Sequence, residues 1–363
     1  MSNNRDAFYM ARALAAAQQA IYTADPNPAI GCVLVKNDRI IAEGWTQQPG
    51  SAHAEIHALS KTDQANGATA YVTLEPCSHF GKTGPCCDAL IAAGIKRVVS
   101  AMSDPNPLVS GRGLEKLRTA GVEVCNGVLA ESAAKLNRGF FKRMNQGLPW
   151  ITSKLAASLD GRTALACGES RWISSSAARD DVHRYRAASS AILTGIGTVL
   201  QDDPQLNARI DFVTTQPIKV VLDSQLRMPL TAKLLDATTE CWIITCSENS
   251  KKIQQLSDAG FKIWQLDAIN TRPDLLSVFK LLAEQQINTV WVEAGAILNG
   301  ALLNSNLVDE WMIYLAPCVL GDLGRGMFHL PELQQMTEKK LLKLSSFRQI
   351  GPDLRLIYTQ QTC

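Results

Sequence analysis

With 363 residues, and roughly 150 residues per domain as a guide, the chain has room for about two domains and more than one core, which excludes a small stapled scaffold. Hydrophobic residues at 46% and charged residues at 19% match an ordinary globular protein and exclude disorder and collagen-like repeats. The 36 Lys and Arg against 34 Asp and Glu leave +2, too weak a field to hold nucleic acid, although a local pocket for a phosphorylated small molecule is compatible with it.

In chain order, an Ala-rich stretch from Asp6 to Thr23 puts Phe8, Ala11, Leu14 and Ala15 on one helical face. AIGCVLV and RIIAEGW predict two strands joined by a turn at Lys36-Asn37-Asp38. A helix from His53 to Lys61 follows, then the strand ATAYVTLEP, a helix from Cys86 to Ala93, the strand RVVSAM, a helix from Gly113 to Ala120 and the strand VEVC. Strands separated by helices predict a sheet covered on both faces. The segment from Leu129 to Asn145 predicts one closing helix, and Gly147-Leu148-Pro149 breaks the pattern, which places a domain boundary between 1–147 and 148–363. The second part starts with WITSKLAASL, a turn at Asp160-Gly161, RTALA and a helix from Ser176 to Ala188. Its strands AILTGI, IKVVLDS, CWIITC, KIWQL, NTVWVE and WMIYLAP alternate with helices, notably PDLLSVFKLLAEQQ, where Pro273 suits a first turn. A second α/β domain is expected.

The five histidines allow each ligand set to be weighed. His53-Ala54-Glu55 precedes Pro76-Cys77, and Cys86 ends PCSHFGKTGPC. A catalytic Zn²⁺ takes three soft or borderline ligands and leaves a fourth position for water, a count that His53, Cys77 and Cys86 meet. Water on such a zinc has a pKa near 7 instead of about 15.7, and Glu55, which is not a ligand, can carry its proton to a substrate ring and a leaving ammonia. Residues two apart on a helix diverge by roughly 200°, so the helix must point its N-terminus at the pocket. His53 and His57 could form a protease-type pair, but that motif needs Glu where Ala54 stands. A structural zinc site with Cys87 or His79 as fourth ligand is a further reading. Cys32, Cys125, Cys167, Cys241, Cys246, Cys318 and Cys363 read as ordinary thiols.

HAE followed by PC and a later Cys is a deaminase signature; nucleoside and nucleic-acid deaminases place two residues between the cysteines, and this chain places eight. With PNPAIGCVLV, YVTLEPCSHFGKTGPC and DPNP, the segment from about 5 to 147 resembles the deaminase half of the RibD family of bifunctional riboflavin-biosynthesis deaminase-reductases. KLAASLDGRTA, ESRWIS, HRYRAASSAILTGIGTVLQDDPQLNAR, VVLDS and VEAGA together resemble its reductase half over about 148 to 360. The resemblance implies an α/β protein, with an N-terminal cytidine-deaminase-like αβα sandwich and a C-terminal dihydrofolate-reductase-like α/β domain. It implies a pyrimidine nucleotide substrate contacted by Asn27, His79, Lys82, Asp104 and Asn106; Lys82 can meet a phosphate, while amides and carboxylates can read an aminopyrimidinone edge. Asn27 between prolines and the Asp104-Pro105-Asn106-Pro107 turn also have purely local explanations.

For the second half, the resemblance implies NADPH, with Ala156, Trp172, Thr198, Asp202, Ser224 and the turn of Gly295, Ala296, Ile297, Leu298, Asn299, Gly300 and Ala301 lining its site. It assigns substrate contacts to Ser170, Arg186, Leu206, Arg209 and Glu293, with Lys154 and Asp160 in the same cleft. The residues alone say less: NTVWVEAGAILNGALL reads as a strand entering a helix whose N-terminal amides could receive a phosphate, and no G-x-G-x-x-G is present. Arg186 and Arg209 can hold a ribose phosphate bidentately, whereas Trp172 could be core filling and Arg186 a solvated charge. Thr46, Gly84, Ala294 and Lys219 stand where the family often has His, Pro, Gly and Arg.

The expected enzyme hydrolyses the ring 2-amino group of a diaminopyrimidinone ribosyl phosphate and then reduces the ribosyl to a ribityl chain. Its rivals are a single-activity nucleotide deaminase with a non-catalytic second domain and a zinc-stabilised nucleotide-binding module. A start of MSNNRDAFYM without a basic n-region and cleavage site, and ten cysteines, point to the reducing cytoplasm. The apolar run Trp311 to Leu320 contains Pro317 and is shorter than the ~18 residues a membrane helix needs. The expected partners are a phosphorylated pyrimidine and further copies of the chain in a homo-oligomer, with no nucleic acid and no membrane.

Overall fold

In the computed structural model, which describes residues 2–79, 84–106, 110–211, 215–236 and 238–360, the chain divides into two units, Met1–Gly147 and Leu148–Cys363. The first contains α1 (Ser2–Ala17), β1 (Gly31–Lys36), β2 (Arg39–Trp45), α2 (Ala54–Leu59), β3 (Thr69–Val72), α3 (Cys86–Ala92), β4 (Arg97–Ser100), α4 (Arg112–Thr119), β5 (Glu123–Asn126), α5 (Ala130–Leu136) and α6 (Arg138–Gln146). Its sheet has the order β2-β1-β3-β4-β5, antiparallel across the first two pairings and parallel across the last two.

Alternation along β1 supplies two cores. Cys32 and Leu34 face α2, α3 and α4 through Ala54, Ala58, Leu90 and Leu117, while Val33 and Val35 face α1 through Tyr9, Met10 and Ala13. The result is the three-layer α/β arrangement expected. Helix α1 begins before Asp6, which is buried within it and accepts Arg97 Nη1 and Nη2 at 2.8 and 2.9 Å and the Tyr71 hydroxyl at 2.9 Å; the helix gives way to a 3₁₀ turn at Gln18–Ala20 well before Thr23. The single closing helix expected over 129–145 is two helices. Asn137 interrupts them: its side chain accepts from Ala29 N at 2.7 Å and donates to Ala29 O at 2.9 Å, competing with helix continuation.

The second unit contains β6 (Trp150–Ser158), β7 (Arg162–Ala164), α7 (Ser176–Ala187), β8 (Ala191–Gly195), α8 (Ile196–Asp202), β9 (Ile218–Leu222), β10 (Cys241–Thr245), α9 (Ser250–Asp258), β11 (Lys262–Gln265), β12 (Ala268–Ile269), β13 (Arg272–Pro273), α10 (Leu275–Glu284), β14 (Thr289–Glu293), α11 (Ala296–Ser305), β15 (Glu310–Ala316), β16 (Arg325–Gly326), β17 (Leu342–Ile350) and β18 (Asp353–Gln360). Nine strands form one sheet in the order β11-β10-β9-β8-β14-β6-β15-β18-β17, parallel from β11 to β15. Val290 and Val292 of β14 face α10 and α11, and Trp291 faces α7 and its neighbours, so both faces are covered. Strand order reverses between β8 and β14, and the carboxyl ends beside that reversal form the crevice in which open α/β sheets bind ligands.

The hairpin β17–β18 has no counterpart among the expected strands. Most of β17 is exposed, so its residues carry no one-sided apolar alternation. Specific bonds dock it instead. Asp353 accepts the Ser175 amide and hydroxyl at 2.8 Å each, and Asp181 accepts the Tyr314 hydroxyl at 2.7 Å and Arg355 Nη1 at 2.8 Å. Among the described residues, no helix is long and apolar enough to cross a membrane.

Replacing Asn137 by Ala removes both bonds to Ala29 and leaves a buried amide and carbonyl unpaired, a loss of about 3 kcal/mol. Urea unfolding monitored on the first unit measures it, and a loss below about 0.5 kcal/mol contradicts the role given to this side chain.

Candidate functional site

His53 is the N-cap of α2, and Cys86 opens α3. Both helix N-termini therefore aim at one point, which meets the condition set by the 200° divergence along a helix. A close approach makes this possible: a Cβ on Gly44 would lie 2.3 Å from Ala58 N and 2.4 Å from Ala54 O, so only glycine lets α2 lie directly on β2. His53 Nδ1 stands 3.6 Å from Cys77 Sγ and 3.3 Å from Cys86 Sγ, and the three ligand atoms all lie within 4.8 Å of one another. Bonds of about 2.1 Å (N) and 2.3 Å (S) at a tetrahedral angle place N and S about 3.6 Å apart, so the triad fits a zinc ion.

Glu55 is 2% exposed, and its Oε2 has no partner, as suits a carboxylate facing a ligand that is not protein. Burial first, and the Cys77 sulfur second, push its pKa up to about 7. The Cys86 side chain, helped by His53 and the Cys86 amide, draws the Cys77 thiol down to about 4, while the neighbouring Cys77 sulfur and burial push Cys86 up.

The competing metal readings fail on geometry. His57 Nδ1 is engaged by the Trp45 amide and by Gln47 Nε2, away from His53. Cys87 donates to Pro76 O and Gly113 O. No fourth His, Cys, Asp or Glu joins the triad among the described residues.

Asp104 and His79 lie close enough for His79 to favour the charged form of Asp104. Burial is nevertheless the largest influence, and with Glu75 and Cys77 it pushes that carboxyl up to about 6. The Asn106 amide donates to Asp104 Oδ1 at 2.8 Å, so the chain bends from Asp104 to Asn106 as expected, within electrostatic reach of Cys77, while Pro107 lies outside the described residues. Asn27 is half-buried on a loop whose following residues are held by Thr46, which donates to Pro28 O and accepts from Ile30 N. Lys82 lies outside the described residues.

Glu75 escaped sequence reasoning. Its Oε1 accepts the amides of Gly113 and Leu114, at 2.9 and 3.3 Å, and its Oε2 those of Asp104 and Gly111, at 3.1 and 2.9 Å, so one buried carboxylate organises the loop carrying Asp104. A Cβ on Gly113 would lie 2.0 Å from Pro76 O, which explains the glycine opposite it. The only sequence signal was an acid at the end of an apolar strand.

In the second unit a cleft of about 1790 Å³ opens at the strand carboxyl ends. It is lined by Lys154, Ala156, Ser170, Trp172, Arg186, Thr198, Asp202, Leu206, Arg209, Ser224, Glu293, Gly295, Ala296, Ile297, Leu298, Asn299 and Ala301. Gly300 and Asp160 are not brought to it. Gly300 packs α11 onto the next segment, where a Cβ would lie 1.9 Å from His329 O. Asp160 accepts the Ser158 hydroxyl and the amides of Leu320 and Gly321, joining two loops.

Glu293 lies at the inner end. Burial opposes its charge, but Arg186, Lys154 and the Trp291 indole more than offset it and draw its pKa down to about 2. Arg186 Nε and Nη2 donate to its two oxygens at 2.5 and 2.8 Å, and Nη1 donates to Asn207 O, which leaves two N–H groups for a ligand and makes Arg186 neither a solvated charge nor a free fork. Burial lowers the pKa of Lys154. Arg209 donates to His183, whose own pKa is lowered by burial and by both arginines. Asp203 and Leu206 hold positive φ of 40° and 45° without being glycine, marking a strained wall. Trp172 is 71% exposed with the Arg179 guanidinium 4.4 Å over its ring, so it is a cleft-mouth aromatic and not core filling. An open aromatic face, a glycine-opened helix N-terminus at Gly295 and a lining of nine Lys and Arg against five Asp and Glu fit a phosphorylated dinucleotide.

A family profile described as RibD C-terminal domain matches residues 149–356, and one described as cytidine and deoxycytidylate deaminase zinc-binding region matches residues 3–102. The riboflavin biosynthesis protein RibD of Escherichia coli is 47% identical, covering 97% of this chain and 98% of its own; that of Bacillus amyloliquefaciens is 41% identical over 96% and 95%. Among solved structures, Acinetobacter baumannii RibD is 42% identical with a TM-score of 0.92 over 99% of this chain and 100% of its own. A Thermotoga maritima diaminohydroxyphosphoribosylaminopyrimidine deaminase/5-amino-6-(5-phosphoribosylamino)uracil reductase is 30% identical with a TM-score of 0.85 over 99% and 100%.

Fold, site and likeness define a bifunctional enzyme in which a zinc deaminase precedes an NADPH-dependent reductase. The chain belongs to the RibD family of riboflavin biosynthesis.

Two outcomes follow. Glu75→Gln turns an amide NH₂ toward backbone donors; zinc content should stay at one per chain while KM for deamination rises about tenfold, and an unchanged KM contradicts the loop-holding role. Because the fold favours ionised Glu293, its stabilisation is complete above about pH 4.5 and fades as pH falls toward 2. The stability gap between wild type and Glu293→Gln, measured by urea unfolding, should therefore narrow from pH 7 to pH 3.

Proposed function

We propose that the first unit hydrolyses the ring 2-amino group of 2,5-diamino-6-ribosylamino-4(3H)-pyrimidinone 5′-phosphate and that the second reduces the ribosyl chain of the deaminated product to ribityl. The observation that carries the first half is the buried Glu55 carboxylate, whose Oε2 has no protein partner, beside the His53, Cys77 and Cys86 triad. Zinc, when bound to His53 Nδ1 and the two sulfurs, supplies Lewis acidity toward a water molecule. Glu55 Oε2 is placed as the group that would accept a proton from the attacking water and return protons to the ring nitrogen and the departing amino group, so that a C–O bond would form as the C–N bond breaks and ammonia leaves. A carboxyl with a pKa near neutrality suits both directions of transfer. Asp104, Asn106, His79 and Asn27 orient the pyrimidine edge, and Lys82 meets the phosphate.

In the second unit, NADPH supplies two electrons and a hydrogen to C1 of the opened sugar imine. Lys154, made easier to deprotonate by burial, is placed to move the accompanying proton beside Glu293. The two remaining Arg186 N–H groups, with Arg209, Ser170 and Leu206, hold the substrate, and Ala156, Trp172, Thr198, Asp202, Ser224 and the N-terminal part of α11 from its cap Gly295 to Ala301 hold the dinucleotide. Gly300 contributes there through packing.

The reading carries with it a cytoplasmic location, where such thiols stay reduced, and a homo-oligomer formed through the exposed edge strand β17, on which Phe347 is 71% exposed. Phe347→Asp should then lower the sedimentation coefficient; an unchanged value counts against that edge.

Glu55→Gln tests the deaminase assignment. Ammonia release should fall at least a thousandfold with zinc retained and with NADPH oxidation on the deaminated intermediate unchanged, and surviving ammonia release overturns the assignment. A second unit that does not oxidise NADPH with that intermediate favours the single-activity deaminase.

A further inference from the structure

The segment that carries Ser170 and Trp172 is anchored at both ends and bare between them. From Leu165 to Ala177 no residue is buried, whereas the flanking Ala164 and Ala178 are 4% and 1% exposed. At one end β7 pairs with β16, where Arg325 stands opposite Ala164; at the other Asp353 accepts the Ser175 amide and hydroxyl. The strap's own bonds, Gly168 N to Leu165 O and Leu165 N to Glu169 O at 2.9 Å each, only close a small loop.

Gln201 joins this strap to its surroundings. Its Nε2 donates to Gly168 O at 3.0 Å and its Oε1 accepts Arg325 Nη1 at 3.0 Å, so one side-chain amide ties together α8, the strap and β16. A Cβ on Gly168, whose φ is +96°, would lie 2.8 Å from Arg325 Nη2 and 3.3 Å from Gln201 Nε2, so glycine lets both groups lie against the strap's backbone. One residue on, Asp202 O accepts Arg171 Nη2 at 3.2 Å. Gln201, Arg325 and Arg171 are all exposed.

Helix α8 carries Thr198 and Asp202, the strap carries Ser170 and Trp172, and all four line the cleft, so the Gln201 amide bridges two sides of its mouth. A segment without a buried side chain, held by solvent-accessible bonds, lies at the low end of local stability, where clasped and open forms are about equally populated. Removing hydrogen bonds from such a segment moves that balance about tenfold.

We infer that Gln201 is a positioning residue of the reductase: it clasps the strap to α8, the clasped form is the one that binds, and the dinucleotide and the substrate, which both meet the strap, raise one another's affinity. This rests on the reductase reading of the cleft. When two ligands select one form, loss of that form weakens each ligand alone, and saturation with either restores the affinity for the other. A balance moved about tenfold from even takes the clasped fraction from about one half to about one eleventh, a loss of about fivefold.

Calorimetry on the full zinc-loaded chain tests this by measuring NADP⁺ binding alone and beside saturating deaminated intermediate, a pair that cannot react because the cofactor is already oxidised. Gln201→Met keeps the side-chain length and drops both hydrogen bonds. It should weaken NADP⁺ about fivefold when the cofactor binds alone and match wild type when the intermediate saturates, with ammonia release and melting temperature unchanged. Gln201→Glu keeps the acceptor for Arg325 but turns an acceptor toward Gly168 O, and should lose affinity as Gln201→Met does. A loss that persists beside saturating intermediate identifies a direct contact with the cofactor and overturns the inference, as does undiminished binding of NADP⁺ alone; both outcomes leave the reductase reading intact. A wild-type chain that neither binds NADP⁺ nor oxidises NADPH overturns that reading and the inference with it.

Discussion

Three soft or borderline ligands can hold one metal ion only if the backbone carries them to a single point, and much of the first unit serves that convergence. The N-termini of α2 and α3 deliver His53 and Cys86, the loop after β3 delivers Cys77, and the close approach at Gly44 fixes how α2 lies on the sheet. Glu55 then reaches the same cavity from the first turn of α2 without becoming a ligand. Its burial is what makes it useful: a solvated carboxylate would stay ionised near neutral pH, whereas this one is balanced between its two forms.

The second unit applies opposite logic. Glu293 is kept ionised by Arg186 and the Trp291 indole although it is buried, and the fixed charge at the cleft's inner end contrasts with the excess of Lys and Arg around the rest of the lining. A near-neutral chain thus concentrates positive charge in one crevice, which whole-chain arithmetic could not show. The positive φ at Asp203 and Leu206 holds the DDPQL wall in a conformation that unstrained loops avoid.

The metal chemistry could be read from the chain because His, Cys and Glu side chains announce their own reactivity, and the alternating strands could be read because their apolar periodicity follows from burial on a covered sheet. What escaped depended on partners distant in sequence. Glu75 acts through backbone amides from residue 104 to residue 114, which have no side-chain signature. Asn137 splits a helix by bonding to Ala29, and the exposed β17 is held through Asp353 and Arg355 of its hairpin partner, not through an apolar face. Asp160 and Gly300 carry types suited to a cleft, yet one ties two loops and the other admits a neighbouring carbonyl.

Stepwise removal of metal by a chelator, with zinc per chain, ammonia release and NADPH oxidation followed on the same sample, tests the two-site account most directly. Ammonia release should fall in proportion to zinc lost and return on adding zinc, while NADPH oxidation on the deaminated intermediate continues at its full rate. Ammonia release that persists in metal-free protein contradicts the account.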